Sequence, residues 1–485
     1  MKQKENTSKN LLSGVAKVVI TDPEAGPAND PLYVKALVLR SGDEIAVIVT
    51  VDAVAIAEIG SIKNDFLANV RSQLNRELNL DPARILINAS HCHGKVCADV
   101  EQRTVQAVVE AWENMVPVSV GAGTGCEDRI MENRRLVLKN GKEADVRHAY
   151  SLPPDEEVAS VGPVDPETGI LRLDREDGET LAVVFNFACH PILEVPSREN
   201  TADISGFASR VIEDNLSEDT IALFLQGCGG DVNPILYKDV NNPRDAEVLG
   251  NMLGLSTLQG LKKIRSSEDG ELKIIREIIE LPRADLADRI ESLQAEQIQL
   301  LQALKGTSLN LKTFIPLYVK YNLSRDFPSY YSHRYLHEEM MGRDGLKKLD
   351  AENRESMNQY IENIYAMEQL TRIQINLNLL KKHQARNVAA GETTIEVEMM
   401  GLRVGEFVLV TFPGELSVEI GLNIKKRSPH KFTFVAGVTN GYIYYTPTAE
   451  QLKNRGGAQE DSDCMLAPEW QMIFEDKVGE ILAVL

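Results

Sequence analysis

Ile85–His93 reads ILINASHCH, an apolar run that leads directly into two histidines one residue apart. In an extended backbone, side chains two positions apart lie on the same face, so His91 and His93 are predicted to point into one pocket. Two imidazoles in one pocket suit a metal ion with a bound water, although such a pair needs further donors from elsewhere in the fold. The alternative is that both are ordinary hydrogen-bonding histidines at the end of a strand.

Four other apolar runs also stop in polar or glycine-rich residues: Leu181–Ala188, Thr220–Leu225, Glu406–Phe412 and Phe432–Val438. Continuous Val, Ile, Leu and Phe predict strands covered on both faces, and ligand sites in such sheets gather beyond the carboxyl ends of the strands. His190, Glu415 and a group of tyrosines follow three of these runs, so we expect them to converge near His91. Taken singly, each strand end is also explained by ordinary turn chemistry.

Six short motifs occur in a set order and span nearly the whole chain outside one helical insert. They are SHCHG at Ser90–Gly94, NRR at Asn133–Arg135, NFACHP at Asn186–Pro191 (in a stretch that begins at Asp165), GGDVNP at Gly229–Pro234, PGE at Pro413–Glu415 and TNGYIYYTPT at Thr439–Thr448. This ordered set resembles the neutral ceramidases, the zinc-dependent amidases that cleave the N-acyl bond of ceramide. The resemblance implies a hydrolase that acts on the amide bond of a small-molecule or lipid N-acyl substrate.

The resemblance also implies a Zn2+ site. Residue by residue, the family's metal ligands correspond to His91, His190, Glu415 and Tyr445. Two neutral imidazoles and a carboxylate are typical of catalytic zinc and leave room for the water that serves as nucleophile. The register of the tyrosine is open: a gapless match favours Tyr445 over Tyr444, and strand alternation would turn Tyr442 to the opposite side.

The resemblance further implies a set of catalytic residues around these ligands. His93 corresponds to a nearby proton shuttle, and histidine suits this role because it ordinarily exchanges protons near neutral pH. Arg134 corresponds to an arginine that binds the substrate or steadies the oxyanion, and the alternative for it is a surface salt bridge. Asp231 and Asn233, in the glycine-aspartate loop, complete the predicted set.

Two positions depart from the family's pattern. Asn233 stands where the family carries a serine, and an amide keeps donors and an acceptor without copying a small hydroxyl. A tyrosine that the family places a short way beyond the ligand tyrosine is replaced by the stretch Arg455–Ala458. These departures leave two alternatives open: a binding protein that kept the scaffold and lost turnover, and a metallohydrolase of soluble N-acyl or ester substrates.

The six cysteines form no CxxC pair and are too sparse for a disulfide scaffold, so we expect reduced thiols. Some of them lie in or beside the motifs, which raises a rival mechanism with Cys189 or Cys228 as nucleophile and a histidine as its base. Strand alternation argues against Cys92, because it would point away from the face that His91 and His93 share.

Composition supports a globular enzyme and excludes several classes of function. The chain has 485 residues, 43% of them hydrophobic, and a formal net charge of -20. This charge argues against nucleic-acid binding and against attraction to anionic membranes. No apolar stretch reaches the roughly 20 residues of a transmembrane helix, and no secretory signal is evident, so a cytoplasmic location is expected. The oligomeric state is left open.

The expected fold class is α/β, with mixed β-sheets covered by helices in a layered sandwich and an all-helical insertion. Residues 11–282 and 391–485 form the predicted catalytic domain, which alternates strands with helices such as Asp65–Leu80 and Val105–Asn114 and contains a hairpin within 393–412. Residues 283–390 keep helical spacing and are predicted to form an antiparallel helical pair packed on or over the core.

Within the insertion, His333 and His337 have the i, i+4 spacing of half a helical zinc site. No H-E-x-x-H motif surrounds them, so a helix surface or lid is the expected role. Beyond the last motif, the chain is expected to lack the immunoglobulin-like C-terminal domain that is found in the family.

Overall fold

A computed structural model describes residues 11–146, 152–193, 199–236, 245–268, 270–454 and 458–485. Its strands are β1 (Leu12–Val19), β2 (Tyr33–Ser41), β3 (Glu44–Val51), β4 (Ile85–Ala89), β5 (Val116–Cys126), β6 (Met131–Asn133), β7 (Arg135–Leu138), β8 (Glu143–Asp145), β9 (Val158–Val161), β10 (Glu167–Arg175), β11 (Thr180–Phe187), β12 (Ile221–Gln226), β13 (Val232–Pro234), β14 (Leu272–Pro282), β15 (Thr394–Val404), β16 (Phe407–Thr411), β17 (Glu415–Leu416), β18 (Phe432–Ala436) and β19 (Tyr445–Thr446). Its α-helices are α1 (Phe66–Leu78), α2 (Val100–Glu113), α3 (Asp203–Asp214), α4 (Ala246–Leu261), α5 (Ala287–Ala303), α6 (Leu311–Leu323), α7 (His333–Met340), α8 (Gly345–Ala390), α9 (Val418–Arg427) and α10 (Trp470–Val484).

The largest sheet has eight strands in the order β12-β11-β10-β5-β1-β2-β3-β4. Both edge pairs, β11 with β12 and β3 with β4, are parallel, and the pairs between them are antiparallel. β4 and β11 are buried along their whole length, as their unbroken apolar sequences predict. The runs predicted at Leu181–Ala188 and Thr220–Leu225 correspond to β11 and β12 within one residue.

A second sheet of four strands, in the order β14-β15-β16-β18, packs against the first. β15 and β16 form the predicted antiparallel hairpin, which turns at Gly405, where φ is +59° and a glycine fits without strain. Residues from both sheets, such as Leu171 of β10 and Leu409 of β16, share one buried apolar core. β16 and β18 are parallel, so their carboxyl ends lie at the same edge of the sheet.

Helices cover the outer faces of the two sheets. α1 and α2 share an apolar cluster with β3 and β4, and α3 and α4 cover the part of the large sheet formed by β10, β11 and β12. Trp470 and Phe474 of α10 pack on Phe412, beside the second sheet. The predicted layered α/β class is confirmed. α2 begins before the predicted Val105, at Val100, since Asp99 and Arg103 pair across its first turn.

The chain divides into two compact units, one that includes Pro154–Asp285 and His383–Leu485 and one that includes Leu286–Lys382. The domain limits predicted at 282/283 and 390/391 stay a prediction, although α8 itself ends at Ala390. Within the part of the chain that the structure describes, no helix has the length and apolar character needed to cross a membrane.

The second unit is helical, but it contains α6 and α7 in addition to the antiparallel pair that the sequence predicts. α5 and α8 form that pair: Gln297 of α5 bonds to Gln374 of α8, and Lys305, further along the chain, pairs with the earlier Glu362. α6 forms because its aromatic face, with Phe314 and Tyr321, packs on Met357 of α8.

Candidate metal centre

The segments that follow β4, β12 and β18 meet at one end of the sheets, and the side chain of Asn88 joins them. Its Oδ1 accepts a hydrogen bond from the backbone amide of Gln226 at 3.0 Å, and its Nδ2 donates to the Gly437 carbonyl at 2.7 Å. Asn88 lies on β4 and Gln226 on β12, which are the two edges of the eight-stranded sheet. The buried amide therefore connects strand ends that the strand order places farthest apart.

His91 lies beyond β4, where the chain has left the extended conformation and φ is +68°. Few non-glycine residues adopt this left-handed conformation, and here the Ala53 carbonyl holds the backbone amide of His91 at 3.0 Å. The Nδ1 of His91 lies 2.6 Å from the Val54 carbonyl oxygen. That oxygen can only accept, so Nδ1 carries a proton, and in the neutral ring Nε2 is the nitrogen with the lone pair.

The prediction that an extended backbone aligns His91 with His93 is wrong, because the backbone turns at His91 itself. The two rings are nearly perpendicular, with centroids 6.1 Å apart, and His93 is exposed whereas His91 is buried. The two histidines are nevertheless close together, with His93 on the solvent side.

His190 lies beyond β11, and the glycine-rich loop after β12 orients it. Its backbone amide bonds to the Val232 carbonyl at 2.9 Å, and its Nδ1 lies 2.5 Å from the Gly229 carbonyl oxygen. His190 therefore has the same tautomer as His91, with the proton on Nδ1. The glycine-rich loop also lies close to β17. A Cβ on Gly230 would lie 2.6 Å from the Glu415 carbonyl oxygen, which explains why residue 230 is a glycine.

Glu415 begins the short strand β17, which pairs in parallel with β19 so that Glu415 lies beside Tyr445. Its Oε2 lies 2.8 Å from Nε2 of His190 and 3.3 Å from Nε2 of His91. Its Oε1 accepts a hydrogen bond from the phenol of Tyr442. The hydroxyl of Tyr445 lies 3.4 Å from Nε2 of His190. The carboxylate is therefore held between two imidazoles and a phenol.

Tyr442 and Tyr445 both reach this cluster, so the prediction that strand alternation separates them is wrong. Asn440 and Tyr444 have left-handed φ values of +56° and +65°, which interrupt the regular alternation of an extended chain. Tyr444 instead directs its hydroxyl to the guanidinium of Arg386.

His91, His190 and Glu415 could together hold a metal ion, because one ligand atom from each lies within 4.8 Å of the others. Metal-binding histidines typically donate their second nitrogen to a carbonyl or carboxylate, and both histidines here do so. Two imidazoles and a carboxylate suit catalytic zinc, and the hydroxyl of Tyr445 adds an oxygen at the same place. The residues present therefore fit the ion that the motifs imply.

The charges of the cluster also favour a cation. Burial alone would raise the pKa of Glu415, but His91 and His190 outweigh it and hold this pKa well below its usual range. Burial and the nearby charge of Arg134 lower the pKa of His190 to about 4, so His190 is neutral at neutral pH. Burial alone would lower the pKa of His91, but Glu415 outweighs it and raises this pKa. A proton on His91 thus competes with any metal.

Arg134 is fully buried, so the alternative of a surface salt bridge is wrong. Its Nε lies 2.5 Å from a carboxylate oxygen of Glu460, its Nη1 donates to Oδ1 of Asn233 at 3.0 Å, and its guanidinium lies over the ring of Tyr445. Burial alone would lower the pKa of Arg134, but Glu460 and Tyr445 outweigh it and hold this pKa well above its usual range. Arg134 is thus a charged link between the glycine-aspartate loop and Tyr445.

Asp231 and Asn233 are buried beside this arginine, outside the group of three candidate ligands. Oδ1 of Asp231 accepts from the Val418 backbone amide at 2.8 Å, which anchors the loop to the start of α9. Nδ2 of Asn233 has no hydrogen-bond partner among the described residues. The catalytic roles predicted for both residues stay predictions.

The other candidate positions are not among the three candidate ligands. His333 and His337 are exposed on α7, in the second unit, and belong to no such group of ligands in the described ranges. Ala458 is fully buried, and the rest of the Arg455–Ala458 stretch lies outside the described residues.

All six cysteines are free, as predicted. Cys189 and Cys228 are buried, and burial raises the pKa of both thiols well above their usual range. Cys92 packs in the apolar core. Because the thiolate is the reactive form, this environment disfavours cysteine as the nucleophile.

Solved structures match this fold. The neutral ceramidase from Pseudomonas aeruginosa aligns over 98% of this chain and 74% of its own, with a TM-score of 0.61 and 14% sequence identity. A structure described as a ceramidase complexed with C2 aligns over 98% of this chain and 75% of its own, with the same TM-score of 0.61 and 14% identity. The chain has a neutral-ceramidase-like fold.

At 14% identity the likeness shows the fold alone. Neither a protein-family model nor a curated protein sequence matches the chain. The resemblance that the motifs predict is therefore confirmed for the ceramidase-like fold, while the family's chemistry is left to be proposed.

Sequence reasoning missed two residues that shape the site: Asn88 and Glu460. Asn88 had a usable signal, since a single amide within an apolar strand must find buried partners. Glu460 had none, because it lies in the acidic stretch EDSD, which resembles an exposed loop, and yet it is buried against Arg134.

Proposed function

We propose that this protein is a hydrolase that cleaves the amide bond of an N-acyl substrate with a Zn2+ ion held by His91, His190, Glu415 and Tyr445. One observation supports the proposal above all. The two histidines come from distant parts of the chain, each has its Nδ1 occupied by a backbone carbonyl, and each presents its Nε2 to the same oxygen of Glu415.

A bound zinc ion supplies Lewis acidity to the scissile carbonyl and lowers the pKa of a coordinated water. The chain's own residues hold and orient the ligands. Tyr442 holds Oε1 of Glu415, and Arg134 lies over the ring of Tyr445, while its charge helps to keep His190 neutral. Arg134 is therefore a positioning residue in this proposal.

His93 is proposed to move the proton that the reaction requires. Its ring lies 6.1 Å from the ring of His91 and is exposed, so it can take a proton from solvent and donate it to the leaving amine nitrogen. Nδ2 of Asn233, which has no hydrogen-bond partner in the described part of the chain, is a donor that a substrate carbonyl could use. Asp231, with its carboxylate on the Val418 amide, positions the loop.

The proposed substrate class is an N-acylated lipid or a soluble N-acyl compound. The names of the two matching structures, both ceramidases, and the ordered motifs support an N-acyl amide. The loss of the family's serine at Asn233 and of its tyrosine near Ala458 leaves the acyl chain and the head group to experiment.

The test combines metal content with turnover. The purified protein is stripped with a chelator and reloaded, zinc is counted by mass spectrometry, and hydrolysis is measured on a panel of ceramides, soluble N-acyl amides and esters. We expect one zinc per chain and amide hydrolysis that returns with zinc. Stoichiometric zinc without hydrolysis of any panel member would identify a binding protein, and turnover of esters alone would identify an esterase.

A further inference from the structure

One side of helix α6 is apolar and exposed. Leu311, Ile315, Val319 and Leu323 follow one another at intervals of four and are between 48% and 83% exposed. Residues four apart lie on neighbouring parts of one helix face, so these side chains form a continuous stripe. The opposite side of the helix already packs on α8 through its aromatic residues. The exposed stripe therefore lies on a helix that needs no further partner to fold.

Aromatic residues of the following loop extend this stripe. Tyr330 is 88% exposed, and the ammonium of Lys320 on α6 lies 5.3 Å from the centre of its ring. Tyr331 is also exposed, and the guanidinium of Arg334 lies 4.9 Å from its ring centre. These cation–π contacts hold each tyrosine beside a positive charge, and the first brings Tyr330 to the edge of α6.

The same segment carries an excess of positive charge. Residues 311–337 contain four Lys or Arg and one Asp, a net charge of +3, in a chain with a net charge of -20. The four cations, Lys312, Lys320, Arg325 and Arg334, are exposed, and none makes an ion pair with a described residue. We call the stripe, the two tyrosines and these four cations the apolar-basic face.

We propose that the apolar-basic face binds the surface of an anionic lipid bilayer. Leucine, isoleucine and valine side chains would enter the interface, the tyrosines would lie at the level of the head groups, and the cations would meet lipid phosphates and carboxylates. The net charge of the whole chain does not prevent this, because charges farther away than about 8 Å are screened at physiological ionic strength.

A second copy of the chain is a poorer occupant for the same face. In a two-fold dimer each patch meets its own copy, so two surfaces that each carry these four cations would face each other. An anionic bilayer instead complements both the charge and the apolar stripe. The proposal concerns binding alone, so it holds or fails separately from the reaction at the metal centre.

The test is co-sedimentation of the full-length protein with vesicles of phosphatidylcholine alone or mixed with phosphatidylserine, at low and high salt. We expect binding to the mixed vesicles that falls as salt rises. Lys320→Glu should lower the partition coefficient about fivefold or more. The double variant Tyr330→Ala/Tyr331→Ala should lower it about tenfold at either salt concentration, because its contribution is apolar.

Matched controls keep the same chemistry away from the face. Lys263→Glu makes the same charge change at an exposed position in the first unit, and Tyr365→Ala removes an exposed tyrosine from α8. Both should bind vesicles like the unaltered protein, and circular dichroism melting curves should show that all variants fold. Equal binding to both kinds of vesicle, or equal losses in the control variants, would overturn the proposal. A dimer that Leu323→Asp dissociates, in a protein that ignores vesicles, would also overturn it.

Discussion

The phenol of Tyr442 donates a hydrogen bond to Oε1 of Glu415, while Oε2 of the same carboxylate faces His91 and His190. One oxygen of Glu415 is thus held by the protein, and the other is turned toward the two imidazoles. Such partners of metal ligands fix the orientation of the ligand, so they affect metal affinity without contacting the metal.

Tyr442→Phe is expected to weaken zinc binding by about 10- to 100-fold, because Glu415 loses the donor that holds it. The measurement is a competition titration against a chromogenic chelator. Tyr444→Phe is the matched control, since the hydroxyl of Tyr444 bonds to Arg386 and Glu58. Unchanged affinity in Tyr442→Phe, or an equal loss in both variants, would contradict the orienting role.

His190→Ala and His93→Ala separate metal binding from proton transfer. His190→Ala removes one of the three candidate ligands, so zinc uptake should be lost. His93→Ala should keep one zinc per chain and lower kcat by about 100-fold or more, because only the proton carrier is removed. Zinc is counted by mass spectrometry on both variants. Loss of zinc from His93→Ala would show that the two roles are assigned wrongly.

The zinc mechanism and the rival cysteine mechanism predict opposite responses to a zinc chelator and to a thiol-alkylating reagent. Because Cys189 and Cys228 are buried and their thiol pKa values are raised, a thiol-alkylating reagent should leave turnover unchanged at neutral pH, whereas a zinc chelator should abolish it. Cys126 is exposed and should be alkylated, and mass spectrometry of the labelled protein would show that the reagent acted. Inactivation that follows labelling of Cys189 or Cys228 would favour the thiol mechanism.

Sequence patterns predicted the strands well because a buried strand has to be apolar on both faces. The runs before His190 and Glu415 therefore correspond closely to β11 and β16, and the strand-end rule places both residues at one site. The order of the strands in the sheets was not predictable in this way, since an apolar run does not indicate which other strand it pairs with. It depends on long-range contacts such as those of Asn88 with Gln226 and Gly437.

The errors in the predicted site come from local backbone conformation. Reasoning by alternation assumes an extended chain at His91 and again at Tyr442–Tyr445, and left-handed residues break that assumption in both places. Glycine often has a positive φ, whereas histidine and tyrosine seldom do, so the residue types at His91 and Tyr444 did not predict this conformation. Both conformations depend on tertiary hydrogen bonds, such as the one from the His91 amide to Ala53.

Arg134→Met is expected to lower the free energy of unfolding by about 3–5 kcal/mol, because it removes the cation 2.5 Å from the buried carboxylate of Glu460, which Arg135 approaches only to 3.8 Å. Arg210→Met is the control: Arg210 and Glu247 are each about half exposed, so its loss should cost at most about 1 kcal/mol. Urea denaturation followed by circular dichroism measures both variants. A cost for Arg134→Met no larger than that for Arg210→Met would contradict a stabilising role for the buried pair.

Asp52 should make the protein less stable as the pH rises from 4 to 6. Burial raises the pKa of Asp52 to about 6, although Lys35 and the backbone amide of Tyr33 oppose this shift. Above pH 4 the unfolded chain releases this proton while the folded protein retains it. The free energy of unfolding therefore falls until the pH passes the folded pKa, and a shift of about two pKa units corresponds to about 3 kcal/mol.

Asp52→Asn removes this titration, and the side-chain oxygen of the asparagine can still accept a hydrogen bond from the Tyr33 amide. The variant should therefore be more stable than the unaltered protein above pH 6 and about equally stable near pH 4. Urea denaturation at a series of pH values gives the difference in the free energy of unfolding between the two proteins, which cancels the contribution of other carboxyl groups. Asp43→Asn, in an exposed turn, should leave the pH profile unchanged. The difference in the free energy of unfolding between Asp52→Asn and the unaltered protein could instead stay constant from pH 4 to pH 7. Asp52 would then be ionised in the folded protein throughout this range, which would contradict the raised pKa.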